Sequence, residues 1–171
     1  MKRTILILIF SLATFTLCSC NNIEEIYGTY VFDEVVYLSE LNSVTADYKA
    51  EQMADTKYII SENSFEMISP RGADYSSKTQ SITYKNEKLD KEQLHSLKMM
   101  LDSFFNGTDV TVPQYSKAYK YTLYSEFNGK SSKMKPYIYT MDDEIWVVNY
   151  VDNTADHSDL IMSIYKLKQI D

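Results

Sequence analysis

The chain has 171 residues, 44% of them hydrophobic and fifteen of them Tyr, with 24 acidic against 17 basic side chains. That length suits one domain with a substantial core. The acidic balance argues against nucleic acid or an anionic membrane surface as the main partner of the whole domain, and two Cys and two His leave little for a disulfide framework, a metal site or nucleophilic catalysis.

The N-terminus reads as a secretion signal. Lys2 and Arg3 precede an apolar run from Ile5 to Leu17, a charged segment followed by a short hydrophobic one. The run falls short of the about 20 apolar residues that span a bilayer. Leu17 stands where an ordinary cleavage site needs a small residue. Leu17-Cys18-Ser19-Cys20 instead resembles the bacterial lipobox, in which the signal is cut before the cysteine and the thiol is acylated. The resemblance implies residues 1–19 as a removed signal, Cys20 as the lipidation site, residues 20–26 as a short tether and residues 27–171 as the domain. It also implies an anchor of two or three acyl chains such as palmitate, enough to hold firmly where one would not. Asn21, where Asp would signal inner-membrane retention, favours the outer membrane, on either its periplasmic face or the cell surface. Loss of Lys2 and Arg3 leaves 15 basic against 24 acidic side chains, a net charge of −9. About six residues separate Cys20 from the first strand, a reach of roughly 20 Å.

Strand-like composition then recurs to the end, with isolated glycines and no repeat or Pro-rich linker. Residues 28–38 read as a first strand rich in β-branched and aromatic side chains. Helix formers at 45–56 predict a short helix in the connection. Residues 57–61 and 64–69 read as a hairpin, residues 70–80 as a mobile loop opened by Pro70-Arg71-Gly72, and residues 81–85 as a short strand. Asp90 and Gln93 sit in capping-box positions ahead of an amphipathic helix over 91–105. Its stripe of Leu94, Leu97, Leu101 and Phe104 is widened by Met100 and Phe105 and ends at Asn106-Gly107. Residues 119–127 and 130–139 flank Asn128-Gly129, the strongest short-range hairpin signal. Residues 144–151 and 159–168 complete about eight strands. These last two are apolar on both faces, which requires a second layer, and helix 91–105 is the obvious cover.

Gly28-Thr29-Tyr30 at the start of the first strand is similar to the Gly-x-Trp opening of lipocalin-like barrels, and Tyr165-Lys166-Leu167-Lys168 resembles the close of small bacterial lipocalin-like lipoproteins. Tyr replaces Trp, and the long helix lies mid-chain rather than after the last strand. The expected fold is a mainly β, antiparallel lipocalin-like β-barrel or strongly curved sheet with one amphipathic covering helix. The resemblance implies that Lys166 or Lys168 packs over Tyr30. It also implies a small apolar or amphipathic ligand in the barrel, with Tyr30, Phe32, Tyr119, Tyr121 and Leu123 facing inward to line it.

No catalytic constellation stands out, and no enzymatic activity, cofactor or metal is expected. Asp142-Asp143-Glu144 reads as a polar turn. The oxygen-rich stretch 152–159 lacks the Gly and terminal Glu of a calcium loop. His95 falls on the helix beside its apolar stripe, and His157 lies in the oxygen-rich stretch. A two-residue turn at Asn128-Gly129 would set Phe127 opposite Lys130, Leu123 opposite Met134 and Tyr119 opposite Ile138. Lys120, Tyr124, Lys133, Lys135 and Tyr137 would then share the outer face. From Lys117 to Tyr137 there are five lysines and one acid. That basic, Tyr-bearing hairpin is the candidate surface for an alternative function, docking of an envelope protein. Lys and Pro on an edge strand also serve simply to block unwanted pairing.

Overall fold

The computed structural model describes residues 23–105, 115, 117–127, 130–152 and 159–170. The expected signal, Cys20, Asn106-Gly107, Asn128-Gly129 and His157 lie outside the described residues. Among the described residues ten antiparallel strands form one strongly curled sheet, a half-barrel. They are β1 (Gly28–Leu38), β2 (Lys57–Ser61), β3 (Ser64–Ile68), β4 (Ser77–Gln80), β5 (Ile82–Lys88), β6 (Ala118–Phe127), β7 (Lys130–Lys133), β8 (Tyr137–Met141), β9 (Glu144–Asp152) and β10 (Asp159–Gln169). Their order across the sheet is β4-β3-β2-β1-β10-β9-β8-β6-β5, with β7 on the outer part of β6. Two helices are added, α1 (Ala46–Met53) and α2 (Lys91–Phe104), and a 3-10 turn (Ile23–Ile26) precedes β1. Among the described residues no helix is long and apolar enough to cross a membrane.

Two of these elements differ from the sequence reading. Residues 70–80 are ordered into a 3-10 turn (Ala73–Tyr75) and strand β4, which pairs with β3 from Ser64↔Gln80 to Met67↔Ser77. Pro70 and Gly72 bend the chain without preventing a return to the edge. The expected strand 130–139 is split. β7 keeps the register of the two-residue turn, Tyr124↔Lys133 and Phe127↔Lys130. After Pro136, which has no N–H for a ladder, β8 resumes two residues further on. Tyr119 therefore faces Thr140, and Ile138 faces Tyr121. A shift of two preserves the face on which every side chain lies.

The curl gives the sheet an inner and an outer core. Inside lie Tyr30, Phe32, Tyr58, Ile60, Phe65, Ile82, Tyr121, Leu123, Ile138, Val147, Tyr165 and Leu167. On the outside, Leu97 and Leu101 of α2 share one buried cluster with Tyr137, Tyr139, Met141, Trp146, Val148, Tyr150 and Ile164. This is the covering helix required by strands apolar on both faces. Its capping box is complete, with Asp90 Oδ1 accepting from the Gln93 N–H and Gln93 Oε1 from the Asp90 N–H, both at 2.8 Å. Phe104 adds an edge contact to Tyr37, ring centroids 5.6 Å apart.

Candidate functional site

The inner face is closed in the middle and open at its ends. Ile60, Leu123, Ile138 and Val147 are at most 1% exposed, so no ligand-sized space remains between them. Walking along the inward positions of β9, from Ile145 through Val147 to Asn149, leads from one end to the other. The inward positions of β10, from Leu167 through Tyr165 to Ser163, run the same way. A cleft lies at each end.

The first cleft, about 570 Å³, lies beside the 3-10 turn that precedes β1. Glu25, Tyr30, Lys117, Tyr119, Asp142 and Asp143 are among its lining residues, with Glu144, Ile145 and Gln169 deeper along the strands. Of the four carboxylates here, Glu25, Asp142 and Asp143 stand with Lys117, while Glu144 is engaged by Lys166. Several of the cleft's groups are already engaged. The Tyr30 hydroxyl donates to Ile26 O at 3.0 Å, and the Lys117 N–H donates to Asp142 Oδ1 at 2.8 Å. Glu144 accepts from Trp146 Nε1 at 3.0 Å and pairs with Lys166 at 2.8 Å. That hydrogen bond to Glu144 holds the Lys166 ammonium above the usual lysine range.

The second cleft, about 450 Å³, lies at the opposite end beside α1. Its floor is apolar: Tyr58, Phe65, Val147 and Tyr165, with Met53, Met67 and Met162. Lys49, Lys135, Asn42 and Asn149 stand around it, and among the described residues no carboxylate lines it. Lys49 and Met53 lie four residues apart on α1 and so share a helix face. Asn42 Nδ2 donates to both Ser39 O and Met162 O, at 3.2 and 2.9 Å. Asn149 Nδ2 donates to Ser163 Oγ at 3.1 Å.

The residues singled out in the sequence fall in different places. Tyr30 and Tyr119 reach the first cleft. Phe32, Tyr121 and Leu123 belong to the packed inner core, where Phe32 makes an edge contact to Tyr165 at 5.8 Å. The expected packing of Lys166 or Lys168 over Tyr30 is not formed. Tyr30 and Leu167 point inward, and strand alternation puts the residues on either side of Leu167 outward. Lys166 accordingly pairs with Glu144 and Glu34 instead.

The lysine hairpin is not the free basic face that the sequence suggested. Asp159, opening β10, lies 2.7 Å from Lys133 and 3.8 Å from Lys120; Glu87 is 3.9 Å from Lys120, and Asp152 is 3.0 Å from Lys135. The same ammonium groups stack on tyrosine rings: Lys120 on Tyr137 at 4.4 Å, Lys133 on Tyr150 at 4.6 Å and Lys135 on Tyr150 at 5.1 Å. Burial lowers the Lys133 pKa, but the hydrogen bond it donates to Asp159 and its interactions with the charges of Tyr150 and Asp159 together outweigh that, so the ammonium is raised. Tyr137, expected on the exposed face, is 2% exposed beneath α2, and burial drives its phenol far above the ordinary range. Tyr124 is half-buried opposite Lys133, and Lys117 lies at the far end in the first cleft.

Sequence reasoning missed Lys49, Met53, Met67 and Met162. Part of the signal was present, because Tyr58, Ile60, Phe65 and Met67 share one face of the expected hairpin. Met162 and Asn149 are brought in only because β10 and β9 follow β1 across the sheet. Compared with protein-family models, curated proteins and solved structures, the chain shows no significant match.

Proposed function

We propose that this protein is a lipid-anchored cell-envelope binding protein that holds a small amphipathic ligand in the cleft beside α1, and that it acts without catalysing a reaction. One observation carries the reading: the cleft combines an apolar floor of Met and aromatic side chains with a polar rim. Ligand sites are generally concave, mostly apolar and furnished with a few polar groups, and Met side chains adapt to irregular ligands. Acylation of Cys20, inferred from the lipobox resemblance, would hold the domain at the outer membrane. The hairpin-docking alternative has less support, because Lys120 and Lys133 are both held by Asp159, a largely buried carboxylate of this chain.

The mature chain carrying Cys20→Ser, purified without detergent, should show a reproducible added mass in native mass spectrometry that is released on denaturation. Bare protein that also fails to take up any added alkyl amphiphile would reject the binding reading. Incorporation of an alkyne-tagged palmitate into the full chain, lost in Cys20→Ser, tests the anchor separately. A wild-type chain that takes up no label would reject it.

A further inference from the structure

We infer that the ligand of the α1 cleft is an anionic amphiphile, an alkyl chain ending in a carboxylate or phosphate, with its head on Lys49 and its chain over Met53, Met67 and Met162. This rests on the reading that the α1 cleft is the binding site, and it adds the charge and orientation of what is bound.

Three observations converge. First, Lys49 lines the cleft and forms no ion pair with a described residue. A ligand anion would therefore meet an ammonium that need not first release a partner. Lys135 can add a second contact, because its pairing to Asp152 is exposed on both sides, at 45% and 67%, and exposed pairs hold weakly. Second, the two amide side chains at the rim are already engaged. Asn42 uses its amide on Ser39 O and Met162 O, and Asn149 donates to Ser163. A polar head entering here meets lysine ammonium groups. Third, the two ends of the half-barrel have opposite character. Glu25, Asp142 and Asp143 oppose one lysine at the first cleft, with Glu144 paired to Lys166, whereas among the described residues two lysines and no carboxylate line the second. Anions are repelled from one end and accepted at the other, which predicts one anionic ligand per chain. Lys49 and Met53, one turn apart on α1, present the head contact and the start of the apolar floor from a single helix face.

The test is calorimetric titration of the mature Cys20→Ser chain with probes of equal chain length: dodecanoate, dodecyl phosphate, dodecanol and dodecyltrimethylammonium, each below its micelle concentration. We expect one equivalent of dodecanoate or dodecyl phosphate to bind at least about ten-fold tighter than dodecyltrimethylammonium. Tighter binding of one anion than the other identifies the head as carboxylate or phosphate. Lys49→Gln should weaken the anions about ten-fold while leaving dodecanol unchanged, and Lys49→Arg should restore them. Equal binding of anion and cation, or anion binding indifferent to Lys49→Gln, overturns the anionic head while leaving the cleft as the binding site. Failure of all four probes overturns the binding-site reading and this inference with it.

Discussion

Ile138→Ala is the substitution that tests whether the half-barrel is filled at its middle. Ile138 is fully buried, and on β8 it lies between Tyr121 of β6 and Val147 of β9. The change removes three carbon groups, which at about 0.8 kcal/mol each gives about 2.4 kcal/mol of lost transfer free energy. A cavity term of about 24 cal/mol per Å³ adds about 1.2 kcal/mol for every ~50 Å³ that neighbours fail to refill. The expected loss is about 3–4 kcal/mol, which for a domain of this size lowers Tm by about 10 °C. Urea unfolding can be followed through Trp146, the single tryptophan, which is 1% exposed in the outer core. Val151→Ala, at a position 43% exposed on β9, is the control and should stay within about 0.5 kcal/mol. A loss below about 1.5 kcal/mol for Ile138→Ala, with an unchanged denaturant slope, would mean that the middle of the sheet encloses open space. The ligand would then belong there and not at an end.

Three further outcomes follow from the packing. Burial raises the phenols of Tyr58, Tyr137, Tyr139 and Tyr165 above their ordinary value of 10. In the unfolded chain they lose protons near pH 10 while the folded protein keeps them, so stability is intact below pH 10 and falls as pH rises beyond it, by about 1.4 kcal/mol per phenol per pH unit. Tyrosinate absorbance and Trp146 fluorescence should therefore change together in one cooperative step above pH 10; ionisation of these buried phenols with the fluorescence unchanged would contradict it. Asp90→Ala removes the capping box of α2 and should cost about 1 kcal/mol in urea unfolding, and an unchanged midpoint would show that the outer core alone holds the helix. Gly28→Ala places a Cβ 3.1 Å from Gln169 Nε2 and 3.3 Å from the Tyr30 hydroxyl. It should destabilise by about 1–2 kcal/mol as that hydroxyl is pushed off Ile26 O, and a gain in stability would show that both side chains yield freely.

What was legible in the sequence was whatever a local signal controls. The capping box at Asp90, the stripe on α2 and the alternation of Ile145 through Tyr150 depend on spacing alone, and each is found where expected. β4 was missed because Ser77-Lys78-Thr79-Gln80 has no apolar alternation; it pairs as an edge strand with largely exposed side chains. The register slip after Pro136 was missed because the turn fixes only the strand stretch next to it. The hairpin lysines were read as a face because their partners, Asp152 and Asp159, arrive from β9 and β10. A basic stretch in one strand and an acidic one in a distant strand look like two patches until the sheet order joins them.

The same sheet order explains why the clefts of this half-barrel lie at its ends and not in its interior. A strongly curled sheet encloses little volume, and here Tyr58, Tyr121 and Tyr165 bring large rings into it alongside Phe32 and Phe65. The rings cannot all lie flat within one layer. Tyr30 turns toward the first end and donates to the turn before β1, while Tyr58, its direct neighbour on β2, turns toward the second and floors the cleft there. Filling the middle with aromatics thus makes both ends partly apolar and leaves polarity to be set by whatever crosses each opening. At the first end that is the 3-10 turn and the tight turn at Asp142-Asp143, which are acidic. At the second it is α1, a short helix with no fully buried residue of its own. Lys49 and Met53 therefore stand where a helix too exposed to add much to the core still sets the polarity of the cleft beside it.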